Sequence, residues 1–245
     1  MEGKVIAVWG SPSGGKTLTG IKLSWKLAKS KKNVVLVLCD NETPMVPLLI
    51  PPADTNSSLG HLLALPALTE VDVFQHFIPL KRSFSILGYL RGENENTYAD
   101  YGPERAKELI YLLRDAADYV VIDCSHHLLS NVLTAVALEV SDTVLRVVNC
   151  GLKSLLYIES QRPYLQETRF HYENQINILN RVTPSQDVDT YQNVFGGKAY
   201  ILPYLPELEA QYNESRLLEP VTGRDGKKYD SNLNTIIRET ITSAK

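Results

Sequence analysis

The sequence predicts an α/β fold, a mostly parallel central sheet with helices on both faces. Three observations carry this. Short apolar runs of strand length recur along the chain, segments with helical spacing separate most of them, and the first run passes through a glycine-rich turn directly into a helix. Such alternation implies crossover helices on both sides of the sheet, so the strands are buried on each face and read as continuous apolar runs.

Strands are expected at Val5-Trp9, Val34-Cys39, Phe84-Leu90, Tyr119-Asp123, Thr143-Asn149, Asn177-Asn180 and Ala199-Leu202. Helices are expected at Thr17-Ser30, Pro103-Ala117, Leu152-Glu167 and Ser185-Val194. Pro103 followed by Glu104 suits a first helical turn, where proline loses nothing and a carboxylate meets the positive helix end. Pro44-Thr69, with its prolines and the pair Ser57-Ser58, reads as an irregular excursion, mobile or ligand-facing, rather than a linker. "EPVTGRDGKKYDSN", Glu219 to Asn232, reads as a second irregular piece with Gly-Arg-Asp-Gly turn chemistry, before a last helical stretch at Leu233-Thr242.

The 245 residues are 44% hydrophobic and 22% charged, with net charge -3, which suits one globular domain over residues 1-245. That balance argues against a broad nucleic-acid or anionic-membrane footprint. Cys39, Cys124 and Cys150 are an odd number at wide spacing, which fits neither a disulfide framework nor a zinc site; Cys39 and Cys124 read as small buried fillers. The first apolar run is too short for a signal peptide, and no stretch approaches the ~20 apolar residues of a membrane span, so a cytoplasmic location is expected.

"GSPSGGKT", Gly10 to Thr17, fits G-x-x-x-x-G-K-[ST] and lies where that chemistry requires, after a strand and at a helix start. Backbone N–H groups of such a loop converge on phosphate oxygens, and the helix N-terminus adds partial positive charge. Lys16 is expected to reach the β and γ phosphates and the Thr17 hydroxyl to bind Mg²⁺. Gly10, Gly14 and Gly15 are expected to take positive φ. A phosphate loop needs carboxylates at neighbouring strand ends. "YVVID" ends in Asp123, a candidate Mg²⁺ partner that could also cap the next helix. "VVLVLCDNE" ends in Asp40 and Glu42, spaced so that an extended chain points both the same way, one toward the metal and one toward attacking water.

Together these pieces resemble the MinD/ParA-type P-loop ATPases, the deviant Walker A group, over nearly the whole chain. "GSPSGGKT" stands for that group's G-K-G-G-x-G-K-[ST], Asp40-Asn41-Glu42 for its D-x-D, and "VVIDCS" for its Walker B strand. Asn180-Arg181 and "YILPYLPELEAQYNE", Tyr200 to Glu214, stand for its late Asn-Arg pair and its nucleotide-lining segment. The resemblance implies a P-loop NTPase fold, binding of ATP or ADP with Mg²⁺, a homodimer and a protein partner. It implies that Ser11, Ser13 and Leu18 join the glycines, Lys16 and Thr17 around the phosphates. By the same resemblance Asn180 reads the adenine edge, with Arg181, Pro203, Tyr204 and Leu205 lining its pocket. A Ras-like GTPase would need N-K-x-D where this chain has "NRVT".

Two positions depart from the family. Ser11 replaces its signature lysine, which in dimers crosses to the partner's nucleotide, and Glu42 replaces the second aspartate of D-x-D. Loss of that lysine resembles the TadZ/CpaE branch, tied to placement of pilus or secretion machinery. The expected function is a nucleotide-dependent switch with slow hydrolysis, Lys16, Asp40 and Glu42 being the catalytic candidates. A non-hydrolysing ATP-binding scaffold and a P-loop small-molecule kinase or ligase are the rival readings. His126-His127 reads as a loop or helix start with His126 near the γ-phosphate, and Lys153 as a solvated residue or a substitute cation.

Overall fold

The computed structural model describes residues 2–50 and 57–242. The part of the Pro44-Thr69 excursion at 51–56 lies outside the described residues, as do residues 243–245, which follow the Leu233-Thr242 stretch. The strands are β1 (Lys4–Gly10), β2 (Val34–Leu38), β3 (Ile78–Lys81), β4 (Phe84–Gly88), β5 (Tyr119–Asp123), β6 (Thr143–Asn149), β7 (Ile176–Val182) and β8 (Ala199–Pro203). The helices are α1 (Lys16–Lys29), α2 (Leu59–Ala64), α3 (Glu70–Gln75), α4 (Pro103–Ala116), α5 (Val132–Val140), α6 (Leu152–Leu165), α7 (Val188–Val194), α8 (Pro206–Asn213) and α9 (Gly223–Ile236).

Among the described residues the strands form one sheet in the order β3-β4-β2-β5-β1-β6-β7-β8. Every neighbouring pair is parallel except β3 with β4. Period-two alternation divides the core. Val5, Ala7 and Trp9 of β1 face a layer built from α2 to α7, while Ile6 and Val8 face α1, α8 and α9. All five residues of β2 are buried, as a strand covered on both faces requires.

The seven expected strands are present, β7 being longer at both ends than the four residues read from the sequence. The edge strand β3 was not expected; it joins antiparallel with a register shift between Pro79 and Lys81, and its mixed residues carry no run of strand formers. Three short or unmarked helices were also missed. Ser58 caps α2 by accepting from the Gly60 N–H, and Thr69 and Asp72 form a capping box on α3. Both are only six residues long, and α5 is too uniformly apolar to show a helical stripe.

The turn expected within Glu219 to Asn232 is corrected. Gly223 opens α9, which runs through the Arg-Asp-Gly residues and continues into a wider π turn at Ile237–Thr242. Buried Gly226, Tyr229, Leu233 and Ile236 recur at helical spacing against α1 and the sheet, and this packing outweighs the helix-breaking tendency of two glycines. No described helix is long and apolar enough to cross a membrane.

Leu233 is 1% exposed at the centre of the α9 contact. Leu233→Ala is expected to lower the unfolding free energy by about 3 kcal/mol in urea titration, the cost of a core cavity. A change below ~0.5 kcal/mol, the usual range for surface substitutions, would show that this segment is not packed as a helix.

Candidate functional site

β1 stops at Gly10 between β5 and β6, paired with Val147 on the β6 side. Gly10 has φ +151°, and a Cβ there would sit 1.9 Å from the Val147 carbonyl oxygen, so only glycine fits. The chain then turns, the Gly14 N–H donating to the Ser11 carbonyl at 3.1 Å. Ser13 and Gly15 take the left-handed conformation, at φ 57° and 90°. Gly14 does not have the positive φ expected of it. Its missing side chain matters for space, because a Cβ would lie 2.8 Å from the Val147 oxygen and 2.9 Å from Ser11 Oγ.

Ser11 points inward and is fully buried. Its hydroxyl is 2.6 Å from that of Ser154 on α6, Ser154 donates to Asn149 Oδ1 at 2.9 Å, and Asn149 Nδ2 donates back to the Ser13 carbonyl at 3.3 Å. A closed ring of hydrogen bonds thus clamps the loop from behind. On the other side Asn180 Nδ2 donates to the Gly14 carbonyl at 2.9 Å, so close to Gly15 that a Cβ there would be 2.1 Å away. No described side chain caps the N-terminus of α1, so its first-turn N–H groups are left for an anion.

Lys16 curls over the loop, Nζ donating to the Ser11 carbonyl at 3.3 Å. Burial lowers its pKa, while Asp123 and Asp40 oppose that shift. Asp123, at the end of β5 and opposite Val8 and Leu38, is 3% exposed and is hydrogen bonded to Thr17. Its Oδ1 has no partner among the described residues, and burial pushes its pKa up to about 7. An orphaned carboxylate oxygen beside the Thr17 hydroxyl, with Asp40 close enough to be felt by both Lys16 and Asp123, is a donor set that fits Mg²⁺. That ion keeps waters and ligand phosphate oxygens and needs few protein atoms, in accord with no cluster of three metal-binding side chains among the described residues.

A cavity of about 490 Å³ opens beside the loop. Ser13, Gly15, Lys16, Thr17, Leu18 and Asp40 line its phosphate end, and Asn180, Arg181, Pro203, Tyr204 and Leu205 its far end. Gly10, Ser11, Gly14 and Asp123 lie beneath this lining and not in it. At the far end Tyr204 Oη donates to Glu209 at 2.7 Å and Arg181, at φ 58°, stacks over the Tyr204 ring and pairs with Glu209 at 3.8 Å. Leu208, Glu209, Tyr212 and Asn213, one face of α8, also line the cavity; they fall within the Tyr200 to Glu214 segment that the resemblance marks as nucleotide-lining, but were not singled out individually. Their spacing after Pro206, two adjacent pairs four residues apart, was the available signal.

The expectation for Asp40 and Glu42 is corrected. Asp40 Oδ1 accepts the N–H groups of Glu42 at 3.0 Å and Thr43 at 2.8 Å, bending the chain so that it is not extended there. Asp40 and Thr43 line the 490 Å³ cavity, while Glu42 faces a separate chamber of about 210 Å³ and its carboxylate lies 2.9 Å from His127 Nε2. His126 does line the larger cavity, its pKa lowered by burial and then by His127 and Lys16. Lys153 is exposed on α6 and is not part of the lining. All three cysteines are free and buried.

No protein-family model matches the sequence, and no curated protein matches it. Solved structures do. The cell division ATPase MinD of Pyrococcus furiosus has a TM-score of 0.76 at 20% identity, over 96% of this chain and 99% of that one. The septum site-determining protein MinD of Pyrococcus horikoshii OT3, complexed with Mg-ADP, scores 0.75 at 20% identity, over 98% and 97%. A ParA family ATPase from Chlorobium tepidum TLS scores 0.79 at 16% identity, over 94% and 98%. The chain therefore has the fold of the MinD/ParA P-loop ATPases.

The raised pKa of Asp123 makes stability depend on pH. An unfolded aspartate ionises near 3.9, so between pH ~4 and about 7 the folded chain binds the extra proton, and stability falls as pH rises through that window. Thermal midpoints of the protein without nucleotide, measured from pH 4 to 8, are expected to drop on this account in the wild type. Asp123→Asn is expected to remove that component of the slope; an unchanged slope would refute the assignment.

Proposed function

We propose that this chain binds ATP with Mg²⁺ as a nucleotide-dependent switch for positioning or assembling a partner, and hydrolyses it slowly. The observation that carries the reading is the continuous cavity from Lys16 and Thr17 to Asn180, Tyr204 and α8. The loop and the α1 N-terminus would hold the phosphates, and Lys16 would neutralise the β and γ oxygens. Thr17, Asp123 and Asp40 would hold Mg²⁺, which supplies charge neutralisation when bound. The MinD structure complexed with Mg-ADP supports the same pairing of nucleotide and ion.

Asn180 supports adenine. One Nδ2 hydrogen is committed to Gly14, which leaves the second hydrogen and Oδ1 as a donor-acceptor pair that matches the ring nitrogen and amino group of adenine, whereas the corresponding guanine edge offers two acceptors. Arg181 and Tyr204 supply a stacking wall. The loop after Asp40 is the segment that a γ-phosphate would order, changing the surface shown to a second copy or to a protein partner. A MinC:MinD complex from Aquifex aeolicus is among the structures of this fold, which supports a partner-binding role. Ser11 supports the TadZ/CpaE-like variant of the fold, and the lack of a spanning helix among the described residues accords with a cytoplasmic site.

One observation favours the second reading, a scaffold that holds ATP without turnover: Glu42 is turned out of the phosphate cavity and paired with His127.

Calorimetry with ATP and Mg²⁺ is expected to show binding that Lys16→Ala weakens by at least ~100-fold, since several charge-assisted contacts vanish together. GTP is expected to bind at least ~10-fold more weakly than ATP, because the wrong base edge leaves a buried polar group unpaired. No affinity for ATP would sink the reading. In single-turnover assays Glu42→Gln should cut hydrolysis by roughly 100-fold if Glu42 orients water, whereas a scaffold would show no rate to lose.

A further inference from the structure

Two loops meet as a partition between two cavities. After β2, Asp40 and Thr43 face the 490 Å³ phosphate cavity while Asn41 and Glu42 face the 210 Å³ chamber. After β5 the same division separates neighbours, His126 facing the phosphate cavity and His127 the chamber. The contact between Glu42 and His127, 2.9 Å, closes the partition from the chamber side. We propose that His127 is a positioning residue that holds Glu42 out of the phosphate cavity, so that loss of this one contact speeds hydrolysis. The inference rests on the reading that bound ATP is hydrolysed with Glu42 orienting water.

The two sides of the contact differ in rigidity. His127 is fixed by its surroundings: its N–H donates to Ser125 Oγ at 3.2 Å, its carbonyl accepts from the Asn131 N–H at 3.1 Å, and its ring lies 3.9 Å from that of His126. The His126 carbonyl accepts from Tyr157 Oη, anchoring the loop to α6. Asn131 Nδ2 donates to the Cys39 carbonyl at 3.0 Å, joining this loop to the end of β2. Glu42 is fixed only at its backbone, through Asp40. Its side chain is 50% exposed, so its rotamer decides which cavity the carboxylate serves, and the His127 ring, with Nε2 2.9 Å from the carboxylate, selects the chamber. A neutral imidazole in its Nε2–H tautomer can donate to the carboxylate as a charged one does, so the contact does not need a protonated ring.

An exposed pair of this kind biases a side chain without locking it. The pair therefore slows turnover and does not abolish it, in keeping with a switch that must hold its nucleotide for some time.

The experiment combines single-turnover ATP hydrolysis with ATP calorimetry on wild type, His127→Ala, His127→Gln, and His127→Ala with Glu42→Gln. His127→Ala is expected to hydrolyse ATP about two- to fivefold faster, the factor that an exposed pair supports, with ATP affinity unchanged. His127→Gln, which keeps a donor, is expected to stay near the wild-type rate. The acceleration should vanish when Glu42 is glutamine. A His127→Ala variant that binds ATP normally but is no faster, or one whose gain survives Glu42→Gln, overturns the latch and leaves the proposed function standing. Absence of ATP binding by the wild type overturns both, and calorimetry distinguishes the two failures.

Discussion

The backbone at Gly10 lies against the Val147 carbonyl so closely that an added Cβ would be 1.9 Å from it. This approach lets β1 end flush between β5 and β6, and it is what brings the loop over the C-terminal edge of the sheet. Gly14 returns to the same carbonyl, and Gly15 packs under the Asn180 amide. The loop is therefore a backbone held at three close contacts, two to β6 and one to β7. Nothing larger than hydrogen can stand at these positions, so the loop's shape is dictated by the strands beneath it.

Given that clamp, the side chains around it fall into two layers. Ser11 and Ser154, both buried, and the half-buried Asn149 form a polar ring whose groups satisfy one another, which fixes the loop without presenting charge. Above it, Lys16, Asp123 and Asp40 are charges held near each other at the mouth, with Asp123 oxygen left unpaired and its proton affinity raised by burial. A polar atom in this state is costly to leave alone, and it marks where an external ligand completes the structure. The position after Gly10 belongs to the first layer and not the second. A lysine could not take the place of the buried Ser11 without opening the ring.

The central strands were legible because parallel strands covered on both faces are uninterrupted apolar runs, and the phosphate loop because its backbone geometry admits few residue types. Asp123 was legible as the carboxylate that closes such a run. The α9 helix was not, since glycines and charges at Gly223 to Lys228 obscure a stripe that only its burial against α1 and β8 reveals. The α8 segment was marked only through the resemblance, and which of its residues face the cavity shows only once the cavity is seen to open beside them.

Local chemistry in the chain is enough to mark seven of the eight described strands, the loop and the carboxylates that close two of those strands, because strand patterning and steric demands on glycine act over neighbouring residues. The direction of each polar side chain depends on groups far away in sequence. Glu42 turns from the cavity beside the loop because Asp40 bends the backbone and the ring of His127, 85 positions later, lies 2.9 Å from its carboxylate. Ser11 turns inward because Ser154 waits on another helix. Hydrogen bonds of a few ångströms between residues that folding alone brings together set those directions, and they decide which of the chain's carboxylates face the cavity.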